Sequence, residues 1–101
     1  MTWLFRRCPP LTCTQVRNIL TLLGFKKAPN KSSGHEQWRK IVAGELFKVT
    51  LSCHNQPFSG MVLASIASQA GLSKQQFCAL SEKKNQKSYK QGKIKIFHKR
   101  T

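Results

Sequence analysis

At 101 residues the chain has the length of one small domain, a size at which about 60 % of the unfolded surface is buried and a large substrate cavity is not expected. Eighteen Lys and Arg stand against three acidic residues, Glu36, Glu45 and Glu82, for a net charge of +15. That balance leaves no carboxylate pair for glycoside chemistry and too few oxygen ligands for a two-metal site, and it points to a polyanion or an acidic partner.

Cys8, Cys13, Cys53 and Cys78 show no CxxC spacing, and no secretory leader is expected ahead of them. They are expected to be reduced thiols of a cytoplasmic protein and not metal ligands. The apolar start, Met1 to Phe5, is far shorter than the roughly 20 residues a membrane span needs, and no other stretch is a candidate.

Residues 1–13 read as a flexible N-terminal arm, because Pro9 and Pro10 deny it a helix or a central strand. From Thr14 onward, Val16, Ile19, Leu20 and Leu23 recur at helical spacing, with Thr14 or Thr12 as N-cap and Gly24 as the stop. Arg17 lies on the outer side of that helix and reads as a solvated charge. Residues 25–28 read as a short strand at a sheet edge, next to Pro29, and 30–34 as a loop.

His35 to Val42 and Leu46 to Ser52 alternate as strands and are separated by Ala43-Gly44-Glu45, a tight-hairpin signal. A register with Val42 opposite Glu45 or Phe47 puts Trp38, Val42, Phe47, Val49 and Leu51 on a core face. It collects His35, Gln37, Arg39, Lys48, Thr50, Ser52 and His54 on the other. His35 then faces Ser52 or His54, and Arg39 faces Lys48 or Thr50. Trp38, on the core side, reads as packing before base stacking.

Residues 60–70 read as a small-residue helix packed through Val62, Leu63, Ile66, Ala67 and Ala70 and closed by Gly71. Ser73 to Gln76 is a capping-box pattern opening a short helix with Phe77 and Leu80 inward. Residues 81–101 are rich in lysine and read as a flexible basic tail, with Ile94, Ile96 and Phe97 as an alternative short strand.

The order helix, three antiparallel strands, helix is that of an α+β domain of the double-stranded-RNA-binding kind. Within it stand Leu23-Gly24-Phe25, Gly34-His35-Glu36-Gln37-Trp38, His54 after the third strand, and Ser65-Ile66-Ala67-Ser68-Gln69-Ala70-Gly71-Leu72 followed by Phe77. Over residues 14–80 this pattern resembles the HicA family of toxins, the RNA-cleaving halves of HicA-HicB toxin-antitoxin pairs. The family usually reads Gly-Ser-His where this chain reads Ser33-Gly34-His35.

The resemblance implies an endoribonuclease that cleaves mRNA without metal or other cofactor, with His35 as catalytic base and a HicB-type antitoxin as partner. Histidine suits the task because its ordinary pKa, about 6.5, lets it exchange protons near neutrality. His54 is the candidate second acid-base group. Lys31, Gly34, Arg39 and Lys48 are the candidates for holding RNA, the cations by charge and Gly34 by allowing close backbone approach. No membrane and no small-molecule substrate are expected. Two other readings stand beside this one: a non-catalytic RNA-binding domain of the same fold, and a basic structural or ribosome-associated protein.

Overall fold

The computed structural model describes residues 8–29 and 35–99. Helix α1, Cys13–Leu23, begins at Thr12, whose hydroxyl accepts from the Gln15 N–H while the Gln15 side chain accepts from the Thr12 N–H, so two orphan donors are satisfied reciprocally. Its stripe of Val16, Ile19, Leu20 and Leu23 is buried, and the chain leaves through a left-handed Gly24. Phe25 is buried without being in a strand, and β1 is only Lys26–Lys27.

Strands β2, His35–Val42, and β3, Glu45–Ser52, form the hairpin. Both turn residues, Ala43 and Gly44, have positive φ, the backbone that matches the twist of a two-residue hairpin. The register pairs His35 with Ser52, Arg39 with Lys48 and Val42 with Glu45, as the core-face argument requires. Strand order is β1-β2-β3, all antiparallel, with Lys26 opposite Arg39 and Lys27 opposite Trp38.

Trp38, Phe47, Val49 and Leu51 join the apolar side chains of α1 in one core. The same core takes in Leu63, Ile66 and Ala67 from α2, Gly60–Gln69, and Phe77 from α3, Lys74–Ala79. Ser73 and Gln76 cap α3 as their spacing predicts. Of the packing stripe expected in α2, Leu63, Ile66, Ala67 and Ala70 are buried, and Val62 is half exposed instead. At the open edge of β3, the Gln69 side chain accepts from the Thr50 N–H at 2.9 Å.

The ends depart further from the sequence reading. Leu11 is fully buried and exchanges two backbone hydrogen bonds with Phe58, so the packed domain begins before residue 14. Trp3 and the rest of residues 1–7 lie outside the described residues. In the segment read as a tail, Lys83–Lys90 forms helix α4. Asn85 and Gln86 fasten it by donating to the carbonyls of Ala79 and Leu80, both at 2.8 Å. Residues 94–97 form no strand, but the chain beyond them returns to the body, where the Lys99 N–H donates to the Gly71 carbonyl.

The expectation of reduced thiols is also corrected. Cys8 is bonded to Cys78 and Cys13 to Cys53, across sequence separations of 70 and 40. These pairs are made by tertiary packing, which spacing along the chain does not disclose.

Candidate functional site

Alternation along the hairpin gives the sheet two unlike faces. The outer one presents, from the start of β2 toward the turn, four cross-strand rows: His35 with Ser52, Gln37 with Thr50, Arg39 with Lys48, and Ile41 with Leu46. His35, Arg39 and Lys48 are exposed. Gln37 and Thr50 are within hydrogen-bond reach of each other, at 3.5 Å. Ile41 and Leu46 are exposed apolar side chains beside the cation row.

Of the residues singled out from the sequence, the fold therefore brings His35, Arg39 and Lys48 onto one face. His54 is exposed but does not join the ladder. Pairing ends at Ser52, and His54 belongs to the 3-10 turn Cys53–Asn55 that follows. Lys31 and Gly34 lie outside the described residues.

The position of His35 is set from behind by its neighbour. Glu36 points inward and is 7 % exposed, and an ionised carboxylate at such a depth needs partners. Arg17 supplies them as a fork from α1: its Nε lies 3.1 Å from both Glu36 oxygens and its terminal nitrogen donates to Oε2. Trp38 Nε1 donates to Glu36 Oε1 at 3.2 Å, and Lys27 Nζ stands 3.9 Å from Oε2. The Arg17 hydrogen bonds hold the Glu36 carboxyl below its ordinary value against the opposing effect of burial, and raise Arg17 in turn. Arg17, read from the sequence as a solvated charge, is thus the clasp between α1 and the first residues of β2. The signal for it is the alternation itself: a glutamate between His35 and Gln37 falls on the core side.

The Cys13, Glu36 and Cys53 ligand atoms lie within 4.8 Å of one another. Both sulfurs are engaged in their mutual bond and the carboxylate in the Arg17 fork, so this group does not offer a vacant donor set.

A second polar node was not legible in the sequence. Lys40, on the inner parity of β2, donates to the Leu23 carbonyl and meets His98 Nε2 at 2.8 Å. His98 Nδ1 lies 2.7 Å from the Ala70 carbonyl. A carbonyl only accepts, so Nδ1 carries the proton and Nε2 accepts from the Lys40 ammonium. The imidazole also packs against Phe25 and Phe47. Burial, opposed by the bond to Ala70 and aided by the charge of Lys40, lowers the His98 pKa from its ordinary value; burial also lowers that of Lys40. This node ties the last described residues to the sheet and does not reach the outer face.

Charge on the outer face is of one sign. The described carboxylates lie elsewhere: Glu36 inside, Glu45 at the hairpin turn and Glu82 at the start of α4. Such a face attracts phosphate, and an exposed imidazole at its end can accept or deliver a proton. No helix among the described residues is long and apolar enough to cross a membrane. Comparison with models of known families, with curated proteins and with solved structures gave no match.

Proposed function

We propose that this protein is a metal-independent endoribonuclease of the HicA kind, built on a double-stranded-RNA-binding-like fold and acting on mRNA in the cytoplasm. The observation that carries the reading is the placing of His35. It is exposed at the first position of β2, on a face where the hairpin carries the cations Arg39 and Lys48.

In this reading His35 takes the proton of a ribose 2′-OH. The freed oxygen attacks the adjacent phosphorus, and the bond to the 5′-oxygen breaks, leaving a 2′,3′-cyclic phosphate. His54, exposed in the turn after β3, returns a proton to the departing oxygen. Proton transfer between ribose and imidazole requires no metal. Arg39 and Lys48 hold the phosphate backbone of the bound RNA by charge, with Lys31 and Gly34 contributing from the segment before β2. A HicB-type antitoxin of acidic character would cover this face and be drawn to it by the charge of the chain.

Purified protein incubated with single-stranded RNA and a chelator should yield cyclic-phosphate ends. His35→Ala should slow cleavage by about 100-fold or more, the usual contribution of a positioned acid or base. Equal cleavage by the variant would remove the assignment. RNA that is bound but left intact by the parent protein would identify a binding domain of the same fold instead.

A further inference from the structure

Each strand of the sheet contributes one cation to a single transverse row. Lys26 is the residue opposite Arg39, and Arg39 is opposite Lys48. All three are exposed. Lys27, of the other parity, reaches under the sheet to Glu36, which leaves Lys26 on the outer side with Arg39. Neighbouring strands lie about 4.8 Å apart, so the row spans about 10 Å across the sheet.

Like charges directly opposite one another in a sheet are destabilising, and no described carboxylate is paired with any of these three cations. The two ion pairs between described residues both belong to Glu36, with Arg17 and Lys27. A row of repelling cations is therefore a cost in the bare protein that a line of anions would remove.

We propose that Lys26, Arg39 and Lys48 form a phosphate track that grips single-stranded RNA away from the cleavage point. The row lies four residues along β2 from His35, about 13 Å at strand rise, beyond the reach of a phosphate undergoing reaction at the imidazole. The polar Gln37–Thr50 pair separates the two, and the apolar Ile41–Leu46 pair on the far side of the row offers a surface for a sugar or base. An evenly spaced line of single charges matches a phosphodiester backbone better than the scattered carboxylates of a protein partner. Lys26, in a strand of only two residues, thereby gains a role that its sequence context does not suggest. The choice of RNA as ligand rests on the function proposed above; the track itself does not require cleavage.

The test uses a single-stranded oligoribonucleotide and the full chain carrying His35→Ala, so that binding is read without cutting. Affinity is measured across a salt series for that protein and for versions further changed at Lys26→Gln, Arg39→Gln, Lys48→Gln and all three together. Each phosphate contact adds about 0.7 to the slope of log affinity against log salt. The triple change should therefore lower the slope by about 2 and each single change by about 0.7, while the melting temperature stays level or rises. An unchanged slope in the triple variant overturns the track, whether or not the parent protein cleaves RNA. A lowered slope in a protein whose parent never cleaves supports the track and removes the nuclease reading alone. Loss of affinity for an acidic protein with no change toward RNA also overturns it.

Discussion

At Glu36 the alternation of β2 puts a carboxylate where its neighbours on the inner face are apolar, and the price of burying it is met by Arg17 and Trp38. Removing the carboxylate leaves the Trp38 N–H and the Arg17 fork without their acceptor, so Glu36→Ala should cost about 1–3 kcal/mol in stability. The pH dependence has a definite sign. Arg17 holds the folded Glu36 below the ordinary carboxylate range, so the unfolded chain takes up the proton first. The resulting stabilisation is complete above that range and is lost as pH falls through it toward the folded value. Urea unfolding followed from neutral to acid pH should show this loss in the parent protein and lack it in Glu36→Gln. His98 contributes in the same direction: its lowered value gives stability present above the ordinary histidine range and lost as pH falls through it. A Glu36→Gln protein with an unaltered acid limb would show that the clasp carries no linkage.

The elements differ in how openly the sequence declares them. The hairpin was legible because turn chemistry, alternation and burial agree, and one register satisfies all three. Helix α3 announces itself through its capping box and α1 through periodicity, while the box that Thr12 and Gln15 form on α1 emerges only in the structure. Helix α4 does not, since Lys83 to Lys90 lacks an apolar stripe and is fastened by amide-to-carbonyl bonds that no hydropathy pattern encodes. His35, Arg39 and Lys48 could be placed from alternation, whereas Lys26 could not, because a two-residue strand has no period to read. The docking of His98 depends on Gly71 at a distance of 27 positions in sequence, and there a side chain has no room. Gly71 has φ +83, and an added Cβ would stand 2.8 Å from Phe47 Cε2 and 3.0 Å from His98 Cβ. Gly71→Ala should destabilise the domain by about 1–3 kcal/mol from the backbone alone. Hydrogen exchange should show the Lys99 amide, which donates to the Gly71 carbonyl, losing protection. Unchanged protection there would mean that the segment around His98 is not seated on this glycine.

At the scale of the whole molecule, the two cysteine pairs stitch the start of the domain to its middle and its later helices. On chain-entropy grounds, bonds closing loops of this length each stabilise by about 4 kcal/mol, a large part of what a small domain possesses. Adding dithiothreitol should lower the urea midpoint markedly, and Cys13→Ser should reproduce part of the fall. A midpoint indifferent to reductant would show the sulfurs to be unpaired. The proposed site of action is a reducing compartment, so cleavage belongs in both assays, oxidised and reduced. The Gln69 amide over the Thr50 N–H bears on a different property. A free strand edge invites pairing with another chain. In dilute solution the net charge of +15 opposes the approach of one copy to another. Strung along one RNA molecule, the copies would lose that repulsion while their local concentration rose. Under those crowded conditions the Gln69 side chain, by occupying the Thr50 N–H, leaves the edge of β3 one donor fewer for a second copy to pair with.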